Sequence, residues 1–427
     1  MAKEIIEKGI LQNLYSGFAI AIDENINEPE SGDKIYDIVG QIEKQGIPLV
    51  KYDALPTNIN FKMNIKAVSF FILDWELNPI SVGAHDEDQT DLQLGSAIQD
   101  SSFEDNVKFI EMIKDHCFAP IFIFTAYDIE TVKNYLLKSK KNLYNQDDES
   151  RNFILIRSKK SVSGENSMFD EIEKWINSNP ALYSLKVWEN SFYKAKNETF
   201  WNLFNKSPKW PEVLWNSYEE DMVDPNSNFF ETIYRLIISR TEFGNIERDK
   251  IFIKDAPIVI EELKEVIKGV MYLENEYLIK DEVRPGDIFK FKTTPGKPAK
   301  YWINVRPVCD TITGRSDGKV YLLKGNKLST AECKKHFLNR YNPKAGIMEQ
   351  HNEAAFYGID DNDFVLFKFN EIVIKDFNEL MKESNRICRL MPPFVTYVQQ
   401  KYAAYTSRTG LPRFPYQVMK EIIPMAD

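Results

Sequence analysis

Residues 70–77 read FFILDWEL. The apolar run begins at Ala67 and stops abruptly at Asp74. A run of this length without polar alternation fits a strand covered on both faces, as in a parallel sheet. Working outward, four similar runs appear: Phe18–Ile22, Ile47–Tyr52, Pro120–Thr125 and Phe153–Ile156. Helical patterns lie between them. Lys34–Gln45 carries Ile35, Ile38, Val39 and Ile42 on one face, and Phe103–Lys114 carries Phe103, Val107, Ile110 and Ile113 at helical spacing. Ile129–Leu137 and Met168–Ile176 complete the set. The alternation predicts a doubly wound α/β domain over residues 1–180, with a five-stranded parallel sheet.

In such open sheets ligands collect beyond the carboxyl ends of the strands. The residues that follow each run are therefore the informative ones. Asp23 and Glu24 follow the first, Asp74 the third, Thr125 ends the fourth, and Arg157, Lys159 and Lys160 follow the fifth. An acidic pair beside a third carboxylate supplies the oxygen ligands that Mg²⁺ prefers. The cation would offset an incoming phosphoryl group and leave the third carboxylate as nucleophile. A hydroxyl and a lysine would serve the phosphoryl oxygens.

This order of acid pair, Asp, Thr-Ala and Lys at strand ends resembles the receiver domains of bacterial response regulators, which have a flavodoxin-like fold. The resemblance covers roughly Phe18–Asn179. It implies that Asp23 and Glu24 bind Mg²⁺ together with Asp74 and the backbone carbonyl of Glu76. It implies that Asp74 accepts the phosphoryl group, that Thr125 is the switch hydroxyl, and that Lys159 is the conserved-type lysine, with Arg157 as its rival. The chain departs from the family pattern in three places. No Lys-Pro pair follows the fifth run, Leu77-Asn78 stand where Met-Pro is usual, and Ile80–Ser102 is a long connection. These mark a divergent receiver.

The remainder reads as two further regions. Residues 181–283 form a helical middle, with Phe230, Ile233, Tyr234, Ile237 and Ile238 at helical spacing and Pro211 at a first helical position. Residues 284–427 form a small antiparallel barrel-like domain. Its strands are predicted at Asp287–Lys292, Tyr301–Arg306, Lys319–Lys324, Phe364–Phe369 and Ile372–Ile374, and a helical tail follows from Phe377 to about Thr409. This segment loosely resembles small barrels of bacterial conflict systems.

The 427 residues are 43% apolar and 28% charged, as in an ordinary globular protein, and carry a formal net charge of −10. That balance argues against broad nucleic-acid binding. No run is long enough to span a bilayer and no signal peptide is apparent, so a cytoplasmic protein without membrane partners is expected. Two weaker signals remain. Cys309, Cys333, His336 and His351 are potential zinc ligands, though only Cys333 and His336 are closely spaced. The C-terminal stretch interleaves Arg386, Arg389, Lys401, Arg408 and Arg413 with Phe394, Tyr397, Tyr402, Tyr405 and Phe414. It suits either nucleic-acid stacking or, as the favoured reading, a docking helix. No catalytic signature of a known enzyme class is present. The expected function is that of a signalling regulator or adaptor, within a bacterial defence system, that takes a phosphoryl group on Asp74 or docks a histidine-kinase-type ATPase. The alternative is a nucleic-acid-binding effector.

Overall fold

The computed structural model describes residues 15, 17–27, 34–58, 60–77, 91–162, 168–242, 246–252, 259–280, 282–292, 299–311, 317–337, 347–350 and 352–409. The chain divides into two compact units, Met1–Ser207 with Ile233–Ala256, and Pro208–Thr232 with Pro257–Asp427.

The first unit holds a five-stranded sheet of β1 (Phe18–Ile22), β2 (Leu49–Tyr52), β3 (Val68–Asp74), β4 (Ile121–Thr125) and β5 (Ile154–Ser158). All pairings are parallel and the order is β2-β1-β3-β4-β5. Its helices are α1 (Lys34–Lys44), α2 (Phe61–Asn64), α3 (Asp91–His116), α4 (Ile129–Leu137), α5 (Met168–Asn177) and α6 (Pro180–Lys206). Alternate residues of each strand face opposite ways. Ala19, Ala21, Phe70, Ile72 and Phe122 meet α1 and α5 on one side. Ile20, Ile22, Phe71, Leu73 and Ile123 meet α3 and α4 on the other. The sheet is thus doubly wound, as the five apolar runs predict. The sequence-based element bounds differ most at α3. Much of Ile80–Ser102, expected as a connection, is helical from Asp91, while residues 78–90 lie outside the described ones.

Two local signals fix helix starts. The Asp128 side chain accepts from Thr131 N at 3.1 Å and caps α4. Asn179 accepts from Leu182 N at 3.2 Å ahead of Pro180, which sits in the first turn of α6, where its missing N–H costs nothing.

The second unit is built on an eight-stranded antiparallel sheet, ordered β10-β11-β12-β9-β8-β7-β13-β6 and curled on itself. Its strands are β6 (Tyr272–Glu274), β7 (Asp287–Phe291), β8 (Lys300–Asn304), β9 (Lys319–Leu328), β10 (Ile347–Gln350), β11 (Glu353–Tyr357), β12 (Phe364–Asp376) and β13 (Ser384–Leu390). Two corrections to the sequence reading follow. The sheet starts at Tyr272, upstream of Arg284, in a strand of three residues, too short to show a period. Ser384–Leu390 is a strand and not part of a helical tail. Only Phe377–Glu383 and Phe394–Thr406 on either side of it are helical.

In chain order, after α6 and before β6 come α7 (Trp210–Glu220), with Pro211 in its first turn as expected, α8 (Pro225–Arg240), α9 (Arg248–Ile251) and α10 (Ile260–Met271). None of the five buried apolar clusters lies within 181–283. The expected middle region therefore has no core of its own among the described residues, and its segments are shared between the two units. No described helix is long and apolar enough to cross a membrane.

Candidate functional site

The registry of the parallel sheet gathers the site. Ile22 pairs with Leu73, so the next residues, Asp23 and Asp74, stand side by side at two adjacent carboxyl ends. Asp74 pairs with Phe124, one residue before Thr125, and Thr125 pairs with Ser158, one residue before Lys159. In the order β2-β1-β3-β4-β5 the winding reverses between β1 and β3, and that switch point is where open sheets form their ligand crevice.

Lys159 ties the group together. Its Nζ lies 2.6 Å from Asp74 Oδ2, 3.5 Å from Asp23 Oδ2 and 3.8 Å from Glu76 Oε2. Each Asp uses its other oxygen to hold its own turn: Asn25 N donates to Asp23 Oδ1 at 2.9 Å, and Glu76 N to Asp74 Oδ1 at 3.1 Å. Asp23 and Asp74 are 2% and 4% exposed and Thr125 is fully buried, whereas Glu24 lies exposed on the turn after Asp23. Thr125 Oγ1 accepts from Tyr127 N at 3.0 Å, and the same hydroxyl keeps a hydrogen with which to donate.

The electrostatics follow from crowding. Burial pushes the Asp74 carboxyl up to about 7, and neighbouring Asp23 adds to the rise, against the opposing pull of Lys159 and of the Glu76 N–H. Burial alone would lower the Lys159 ammonium, but Asp74, Asp23 and Glu76 outweigh it and hold the proton more tightly than usual. The site thus keeps its lysine charged and makes ionisation of Asp74 costly.

Arg157, the rival lysine candidate, turns the other way. Its Nε donates to Glu171 Oε2 on α5 at 3.1 Å. The sequence reading overlooked the support beneath Asp74. Asn106 Nδ2 donates to Trp75 O at 3.1 Å and Ser102 Oγ to Leu77 O at 2.6 Å, so α3 holds the turn after β3. The fully buried Trp75 ring packs on Phe103 at 5.6 Å, and Phe103 packs edge-on to Tyr127 at 5.2 Å. The available signal was Asn106 itself, a polar residue one turn after Phe103 on an apolar helix face.

No family model, curated protein or solved structure matches the chain. The site is accordingly read from its own geometry.

The weaker candidates resolve into packing. Cys333 is buried with its Sγ 3.2 Å from Met348 Sδ, while His336 Nε2 meets Glu353 Oε1 at 2.5 Å. Cys309 is exposed on a different turn, and His351 lies outside the described residues. Among the described residues, no three His, Cys, Asp or Glu side chains gather closely enough to hold a metal by themselves. In the basic-aromatic stretch, Arg386 and Arg389 turn inward onto buried Asp287. Phe394, Tyr397, Tyr402 and Tyr405 pack against the core of the second sheet. Lys401 pairs with Glu349 at 3.2 Å, and Arg408 stacks 3.7 Å over the Tyr405 ring. Arg413 and Phe414 lie outside the described residues.

Proposed function

We propose that Phe18–Asn179 is a receiver-type phosphoryl acceptor whose nucleophile is Asp74. The observation that carries the reading is the sharing of one lysine ammonium by two buried carboxylates at the switch point of a 2-1-3-4-5 parallel sheet, with a threonine ending the next strand. An Asp74 oxygen attacks phosphorus as the bond to the donor's leaving atom breaks, an imidazole nitrogen of a phosphohistidine or a carboxyl oxygen of acetyl phosphate, and the leaving group departs with that electron pair. Lys159 then exchanges a carboxylate oxygen for a phosphoryl oxygen, and the Thr125 hydroxyl donates to another.

Mg²⁺ fits the donor set, since it needs only one or two carboxylates and otherwise keeps its water. Asp23 and Asp74 would hold it, with Glu24 and the Glu76 carbonyl as further oxygen ligands. The bound cation would offset the charge of the phosphoryl oxygens. The partner in this reading is a histidine-kinase-type ATPase that donates the phosphoryl group or docks on the receiver, and the chain is a signalling regulator or adaptor rather than a catalyst. The partner rests on the family resemblance alone.

The test is intact mass after incubation with acetyl phosphate and Mg²⁺. One phosphoryl group should be added to the wild-type chain and none to Asp74→Asn. Asp23→Asn should weaken both labelling and the Mg²⁺ response of Trp75 fluorescence. Thr125→Ala should still bind Mg²⁺. Labelling that persists in Asp74→Asn would remove the nucleophile from the scheme. Mg²⁺ binding without labelling by any donor would leave a docking site in a receiver-like fold.

A further inference from the structure

β12 is paired on both edges only along its first half. Phe364–Lys368 lies between β11 and β9. After a register shift between Phe367 and Ile372, the segment Ile372–Asp376 pairs with Leu323–Lys319 of β9 alone. Among the described residues, no strand pairs with its other edge. Strand edges are usually protected by charges, bulges or cover. This one follows a register shift and has Glu371 and Lys375 at its ends, but its centre presents Ile372, Val373 and Ile374, which are 37%, 37% and 56% exposed.

The sequence of that edge names its occupant. Residues 370–376 read NEIVIKD. Laid antiparallel against itself about Val373, the segment sets Ile372 opposite Ile374 and Glu371 opposite Lys375, each twice by symmetry. Asn370 then faces Asp376. Opposite charges directly across an antiparallel pair stabilise it, and like charges destabilise it. A strand that opposes its own copy in this way meets complementary charges at both ends and apolar contact in the middle.

We propose that this edge pairs with the same edge of a second copy of the chain, with the two-fold axis at Val373, to give an isologous dimer. Val373 lies opposite Leu322, and by the period of two it shares a face with Glu371 and Lys375. Existing ion pairs do not oppose the arrangement. Glu371 accepts from Lys324 at 2.6 Å and Lys368 at 3.1 Å, and Lys375 donates to Glu383 at 2.5 Å. All are partly exposed, and a carboxylate has lone pairs for a further donor. A central residue that opposes itself suits either hydrogen-bonding phase of an antiparallel ladder. The proposal is independent of the phosphoryl-acceptor reading.

The experiment measures the mass of the full chain by sedimentation velocity and light scattering over a wide concentration range. Wild type should dimerise. Val373→Lys and Val373→Glu each set two like charges face to face at the axis, and each should raise the dimer dissociation constant by at least about tenfold. An equimolar mixture of the two variants should recover dimers containing one chain of each, which also shows that both variants are folded. A wild-type chain that stays monomeric at all concentrations overturns the proposal and leaves the edge to a foreign strand. Variants that dimerise undiminished assign the dimer to another surface. Monomeric variants that fail to recover on mixing exclude a two-fold axis at Val373.

Discussion

Lys159 is one cation beside three carboxylates, and it does not offset the burial of Asp74, which, with neighbouring Asp23 adding to it, raises that carboxyl to about 7. A group raised in this way carries a definite pH signature. Below about pH 4 the carboxyl is protonated in both folded and unfolded chains. From there up to about 7 the folded chain retains a proton that the unfolded chain has lost, so stability falls as pH rises through that window. Above it the full cost of the buried charge persists. In metal-free solution the melting temperature of the wild type, measured relative to that of Asp74→Asn, should therefore fall between about pH 4 and about pH 7. Added Mg²⁺ should recover stability in wild type far more than in the variant. An unchanging difference between the two proteins across that range would mean that Asp74 ionises as an ordinary carboxyl. Asp23, Asp74 and Thr125 were legible because each ends a buried apolar run. The choice between Lys159 and Arg157 was not, since both follow the fifth run. It is decided by the local turn: β5 directs Arg157 toward Glu171, and the short 3-10 turn from Lys159 swings the lysine back over the sheet end.

At the scale of elements, the strands that could be read are those with apolar residues on their inward faces. β13 is the opposite case. Its buried residues are Ser384, Arg386, Cys388 and Leu390, a period of two with no apolar period to match. The reason is the fully buried Asp287 on the neighbouring β7. Arg389 Nε donates to Asp287 Oδ1 at 2.6 Å, and Arg386 Nη1 lies 3.3 Å from Oδ2. Arg386 also donates to Ile279 O at 2.7 Å and to Asn275 Oδ1 at 3.1 Å. Removing one member of a buried ion network strands the others. Asp287→Ala should cost about 3–5 kcal/mol in urea denaturation of the second unit, because two arginines lose their counter-charge. Arg389→Met, which leaves Asp287 paired with Arg386, should cost clearly less. Equal costs would mean that the aspartate holds the strand by shape rather than by charge.

At the scale of the whole molecule, the parallel sheet was legible and the division of the chain was not. Helical periodicity marks α6 and α8 as helices, but it does not report which core each will join. Residues 233–256 belong with the first unit. There Glu247 N donates to Tyr183 Oη at 3.2 Å, Lys250 lies 5.5 Å from the Tyr183 ring centre, and Glu242 pairs with Lys194 at 2.6 Å. A fragment of residues 1–207 keeps the buried clusters on both faces of the parallel sheet. It should fold cooperatively but melt below the same unit in the full chain. A melting temperature equal to that in the full chain would show that residues 233–256 contribute nothing. The long turn at 142–151 is held by Asn145 N donating to Asn152 Oδ1 at 2.6 Å and by Lys114 Nζ donating to Asn142 O at 3.0 Å, so proteases should cut it late. The chain passes from one unit to the other after Ser207, after Thr232 and after Ala256. A single genetic crossover anywhere between residues 207 and 257 would leave one parent's segment against the other parent's core. The first unit is therefore not a cassette that one crossover in this stretch can move whole, and its two segments, 1–207 and 233–256, stay matched only when both come from the same parent.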